Sequence, residues 1–172
     1  LIYQQSEAFY DEHVQSINTT LGCFTEGGTM ANITALWIAR NHLLCPKDGF
    51  DGVELEGLST AYKAYGIERC VVLASRLGHL SLRKAGGVLG IGNRNIVGID
   101  VDANHRLDLT ALKKTIHKIK TDPVKTKIVA VVGIAGTTET GTVDPLKEIG
   151  AICAQEGIHF HVDAAWGGPV LL

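Results

Sequence analysis

Proline supplies only 4 of the 172 residues and aromatic side chains only 6%. Neither sign of charge dominates, with 16 basic against 18 acidic groups and a net charge of -2. Lack of a polycation and scarcity of aromatics argue against nucleic acid, which is gripped by basic stripes and base-stacking rings. No apolar run approaches the ~20 residues that cross a bilayer; the longest extends from Ile128 to Ala135. The four cysteines, Cys23, Cys45, Cys70 and Cys153, form no C-x-x-C pair and no zinc-like spacing. Each has apolar neighbours, which predicts buried free thiols in a reducing cytosol. An initiating methionine is also missing, and the chain stops on the apolar Pro169-Val170-Leu171-Leu172. Both ends therefore read as cut, and no targeting peptide is judged from them.

What is present is a 45% hydrophobic chain, too apolar for general disorder. Its length suffices to bury roughly 70% of the unfolded surface in one ordinary core. Glycine is abundant, 20 of 172 residues, about 12% against a usual ~7%. Without prolines or low complexity, that surplus predicts tight turns and close backbone approaches in an α/β fold.

Residues 1–18 read as an amphipathic helix carrying Ile2, Ala8, Phe9, Val14 and Ile17. A helix from Met30 to Leu44 is expected to align Ile33, Leu36, Trp37 and Leu44 on one side, and another covers Glu54 to Tyr65. The second half alternates. Strands are expected at Cys70–Ala74, Ile96–Ile99, Ile128–Ile134 and Ile158–Val162. Helices are expected at His79–Leu89, from an Asp108 N-cap to Lys120, and at Pro145–Glu156 with proline in the first position. Nearly continuous apolar strands alternating with helices predict a mainly parallel sheet covered on both faces, in one domain or part of one.

Ligands of such sheets lie beyond the carboxyl ends of the strands. Gly27-Gly28-Thr29 opens a helix, where bare backbone amides, the helix dipole and a hydroxyl suit a phosphate; a tight turn with an N-cap reads equally well. It is neither a Walker motif nor G-x-G-x-x-G, and Gly90-Ile91-Gly92-Asn93-Arg94-Asn95 lacks the third glycine. His79 follows the Cys70–Ala74 strand, where an imidazole can stack on a flat ligand, shuttle a proton or merely cap a helix. The hydroxyl-rich Gly136-Thr137-Thr138-Glu139-Thr140-Gly141-Thr142 loop can donate to a cofactor or serve as an ordinary connection. On the last strand, period two puts His159, His161 and Asp163 on one face. A His-x-His metal site is disfavoured, because no other ligand-rich segment converges on it. A strand-end aspartate followed by Ala164 and Ala165 instead suits a cationic heterocycle nitrogen with room for a flat ring.

Four motifs occur in order: Gly27-Gly28-Thr29-Met30-Ala31-Asn32, Gly78-His79-Leu80-Ser81-Leu82-Arg83-Lys84-Ala85, Gly136-Thr137-Thr138-Glu139-Thr140-Gly141 and His161-Val162-Asp163-Ala164-Ala165-Trp166-Gly167-Gly168. Together they resemble the group II pyridoxal 5'-phosphate (PLP) amino acid decarboxylases over nearly the whole chain. The stretch Ala31 to Asn41 and the Asp-Ala-Ala-Trp-Gly-Gly run look most like glutamate/aspartate-type bacterial members.

The resemblance implies a fold-type-I PLP-dependent transferase-like large domain, a mainly parallel sheet with helices on both faces, of which residues 1–172 form a part truncated at both ends. It implies that Gly28 and Thr29 hold the cofactor phosphate, that His79 stacks on one face of the pyridine ring and Ala165 packs on the other, that Asp163 pairs with the ring nitrogen, and that Thr138 bonds near the ring. The implied catalytic pair is His79 and Asp163, the implied partners are an amino acid substrate and a second identical subunit, and the implied location is cytoplasmic. Glu26 departs from the family's usual small hydroxyl residue, and Leu80 from its aromatic or serine. The family's Schiff-base lysine follows the His-Val-Asp-Ala-Ala motif, after the last residue of this chain, as does the mobile loop with its catalytic tyrosine. Neither Lys84, Lys125, Lys127 nor Lys147 replaces that lysine, so the 172 residues alone are expected to be inactive. The alternatives are another fold-type-I enzyme, a desulfurase or aminotransferase, and a noncatalytic α/β assembly module.

Overall fold

A computed structural model describes residues 5–14, 16, 18–19 and 21–171. Helices α1 (Glu7–Val14), α2 (Gly27–Leu43) and α3 (Val53–Tyr65) precede an alternating series. That series runs β1 (Arg69–Ser75), α4 (Ser81–Val88), β2 (Ile96–Ile99), α5 (Leu109–Thr121), β3 (Thr126–Ile134), α6 (Leu146–Glu156) and β4 (His159–Asp163). The four strands are wholly parallel in the order β2-β1-β3-β4. After β2 the chain crosses back past β1 to place β3 on its other side, so the strand order reverses between β1 and β3. Such a reversal parts the loops that leave the two strands and opens a crevice at their carboxyl ends.

The apolar strands are buried because each faces helices on both sides. Along β1, Cys70, Val72 and Ala74 join a core with α2, α3 and α4, including Leu36, Ala61 and Leu82. Val71 and Leu73 point the other way, into a core with Leu112 and Ile116 of α5 and Ile149 of α6. The pleat thus sends alternate residues of one strand into two separate layers.

Several local expectations need correction. The first helix extends over Glu7–Val14 alone and has no buried residue, while Ile2 and Ile17 lie outside the described residues. Helix α2 starts at Gly27, before Met30, and its buried stripe is Asn32, Leu36 and Ala39. Trp37 is on the outer side, 40% exposed. Helix α4 begins at Ser81, leaving His79 in the preceding turn. Pro145 is the N-cap of α6, one position ahead of the first helical residue. Asp108 caps α5 as expected, accepting from the amides of Thr110 and Ala111. All four cysteines are free, but Cys23 and Cys45 are exposed, because the loops carrying them have no covering layer. Cys70 and Cys153 are buried, and burial pushes the Cys153 thiol up to about 11, leaving it inert near neutrality. Among the described residues no helix is long and apolar enough to cross a membrane.

One buried carboxylate holds the crevice loop to the sheet. Asp144 is 3% exposed and accepts from the amides of Leu107 (2.7 Å) and Ile134 (2.9 Å). Burial pushes its carboxyl upward, and the two amides act in the opposite direction by stabilising the anion. Asp144→Ala orphans both buried donors, so we expect a loss of about 3 kcal/mol. A fall in the urea midpoint with an unchanged denaturant slope checks this; an unchanged midpoint removes Asp144 as the tie.

Candidate active site

The crevice at the strand ends is a cavity of about 240 Å³. Gly28, Thr29, His79, Thr138, Asp163 and Ala165 all line it, together with Asn32, Leu77, Ser81, Ile134, Gly136, Thr137 and Trp166. All six candidate residues, from four separate segments, therefore meet in one place.

The cup forms where α2 starts. Gly27 has φ +85°, a conformation L side chains rarely adopt, so glycine is required to turn the chain into the helix. A Cβ on Gly28 would stand 3.1 Å from the Ala165 Cβ, tighter than ordinary contact. The Glu26 side chain makes no capping bond, so the first-turn amides of α2 have no side-chain acceptor from the N-cap. These amides, the positive end of the helix dipole and the Thr29 hydroxyl make a seat for an anion.

Asp163 ends β4, paired with Ile134 at the end of β3, and lines the same cavity. Its Oδ2 accepts from Asn32 Nδ2 at 2.9 Å and its Oδ1 from the Ala165 amide at 3.2 Å. Both carboxylate oxygens are thus engaged by donors. On the same face of β4, His161 Nε2 lies 2.8 Å from Asn32 Oδ1. Burial pushes the His161 imidazole down, against the raising influence of Asp163 and with a lowering contribution from His159. Among the described residues no three His, Cys, Asp or Glu side chains gather into a metal-binding group.

His79 is exposed at the cavity wall, and its Nδ1 lies 2.9 Å from Ser81 Oγ. The Ser81 amide also donates to Nδ1, at 3.2 Å. Ser81 Oγ in turn receives Asn32 Nδ2 at 2.9 Å. In the loop after β3, the hydroxyls of Thr137, Thr140 and Thr142 bond one another, and Thr137 is 1% exposed. Thr138 is exposed and lines the cavity.

Asn32 and Ser81 were absent from the sequence-derived candidates. Asn32 had a legible signal: it precedes Leu36 by four residues, a polar side chain on the buried stripe of a helix. Ser81 had none, because a serine two residues past a histidine is ordinary.

The fold and the site together define an α/β protein with a helix N-terminus and a strand-end carboxylate at one cavity beyond the sheet. The chain belongs to the family described as the pyridoxal-dependent decarboxylase conserved domain, which matches residues 4–172. It is 45% identical over 172 residues to the aspartate 1-decarboxylase of Aliivibrio fischeri, covering 100% of this chain and 31% of that protein. It is 34% identical over 158 residues to the L-2,4-diaminobutyrate decarboxylase of Acinetobacter baumannii, covering 88% of this chain and 29% of the relative. The crystal structure of mouse CSAD superimposes with a TM-score of 0.77 at 28% identity, over 90% of this chain and 30% of that one. The chain therefore spans about a third of the length of these relatives. The family's cofactor is pyridoxal phosphate, and the donor set fits it. Helix-start amides with the Thr29 hydroxyl, the Asp163 carboxylate, the His79 imidazole and Ala165 all line the one cavity.

Proposed function

We propose that this chain is part of the large domain of a PLP-dependent decarboxylase acting on an acidic amino acid, L-aspartate or L-glutamate. The observation that supports this most strongly is the convergence of an anion cup, an imidazole and a strand-end carboxylate on a single cavity. The identity to an aspartate 1-decarboxylase favours aspartate.

Pyridoxal phosphate, when bound, supplies an electron sink for the pair left on the amino acid Cα as CO2 departs. The chain's residues make that sink effective. The amides of Gly28 and Thr29 and the Thr29 hydroxyl hold the phosphate. Asp163 keeps a proton on the pyridine nitrogen, because an adjacent carboxylate favours the cation. His79 and Ala165 would hold the ring between them and limit its movement in the cavity. Thr138 donates near the ring substituents.

No lysine lines the cavity among the described residues. The covalent attachment is therefore proposed to come from a segment of the parent protein outside these 172 residues, which alone do not turn over. The parent is proposed to be a cytoplasmic homodimer. Large apolar side chains left exposed, among them Phe24, Ile38 and Trp166, are consistent with further covering surfaces.

The test is performed on the parent protein. CO2 release from L-aspartate or L-glutamate is expected, and transamination without CO2 release would move the chain to the aminotransferases. After PLP addition and borohydride reduction, the labelled lysine is expected outside residues 1–172. Specific labelling of a lysine within them would overturn the attachment proposal.

A further inference from the structure

The polar contacts beneath the cavity have a direction. A backbone amide can only donate, so the Ser81 N–H pointing at His79 Nδ1 requires that nitrogen to be unprotonated. The ring's proton then resides on Nε2, the nitrogen not engaged by Ser81. Ser81 Oγ accepts from Asn32 Nδ2 and so has its own hydrogen available for Nδ1. The second Asn32 Nδ2 hydrogen goes to Asp163 Oδ2, and Asn32 Oδ1 receives the Nε2–H of His161. The four contacts around Asn32 and Ser81 are thus satisfied in one consistent orientation. Asn32 is 2% exposed and lies at the branch point.

We propose that Asn32 is a positioning residue for two groups that meet the cofactor: it orients Asp163 as a carboxylate and, through Ser81, holds His79 as a neutral Nε2–H imidazole. The inference rests on the PLP reading above. A neutral ring can lie against a protonated pyridine without charge repulsion, whereas an imidazolium could not. The carboxylate must be anionic for the same pyridine to keep its proton. One amide serves both requirements because its two hydrogens point to different acceptors. The titratable groups around it are Asp163, His161 and His159 of β4, His79 after β1 and, on α2, His42 facing His159.

Asn32→Asp is nearly isosteric but replaces two donors with a carboxylate. It puts a second negative charge within hydrogen-bond distance of Asp163, which raises the pair's apparent pKa. In the parent holoenzyme we expect kcat to fall about 100-fold and the acid limb of its pH profile to move upward, with KM changing far less. In the cofactor-free protein, histidine NMR should show His161 titrating at higher pH, since the new carboxylate sits against its Nε2. Asn32→Ala should lower kcat about tenfold, and the Asn32→Ala/Asp163→Ala double variant should fall by less than the two single losses combined, the remainder being the arm through Ser81 to His79. If Asn32→Asp does not fold, the Asn32→Ala pair decides by that non-additivity. An unmoved pH profile together with an unmoved His161 titration, or additive losses in the double variant, overturns the proposal. Failure of the wild-type parent to bind PLP would instead sink the functional reading, while the His161 titration would still report on Asn32.

Discussion

Asp163→Ala is expected to lower kcat by about 10³-fold, the scale lost when a preorganised charge is removed from an active site. The phosphate cup lies on α2 and does not involve this side chain, so PLP binding should survive, weakened only by about tenfold. The variant also strips the Asn32 amide and the Ala165 N–H of their carboxylate partner. A modest loss of stability therefore accompanies the catalytic one. Turnover, cofactor affinity and a thermal melt of the parent protein separate the three effects. Near-normal kcat would remove Asp163 from its role on the ring nitrogen, and complete loss of PLP would mean that it, rather than the cup, dominates cofactor binding.

Gly167→Ala is expected to do comparable damage by another route. A Cβ at this position would lie 2.2 Å from the carbonyl oxygen of Ala135 and 2.8 Å from its carbon. The Gly167 amide already donates to that oxygen at 2.9 Å, linking the turn after β4 to the end of β3. Backbone cannot swing aside as a flexible side chain does, so the two loops must separate. We expect a cost of about 3 kcal/mol, with PLP affinity falling about 100-fold as Ala165 and Trp166 leave the cavity wall. Gly87→Ala is the control: its Cβ would meet nothing within 4 Å in the last turn of α4, so it should cost nothing or stabilise by up to about 0.5 kcal/mol. Equal behaviour of the two variants would show that the Ala135 contact does not constrain the site.

The elements that were legible in the chain are those with strong local chemistry. Strands such as Cys70–Ala74 and Ile128–Ile134 announce burial on both faces by their unbroken β-branched and apolar character, and the structure extends them by a residue or two. Asp108 marks a helix start by its own side-chain bonds. Trp37 misled because helical spacing identifies a stripe but not which of two adjacent stripes meets the sheet. Packing chose the one with Asn32, Leu36 and Ala39. Cys23 and Cys45 misled similarly, since apolar neighbours in sequence do not supply a covering layer in space.

The ordered motifs themselves determined the family, the sheet class and the six residues that face the cavity, because each resides at a strand end or helix start where local sequence dictates backbone shape. Only the tertiary structure decided what joins them. The strand order brings the loops after β1 and β3 to the two sides of one crevice. Packing of α2 across β4 and α4 then places Asn32 between Asp163, His161 and Ser81, residues far apart along the chain. Hydrogen bonds of that kind depend on distances of a few ångströms between separate elements, and no periodicity or spacing within one segment encodes them.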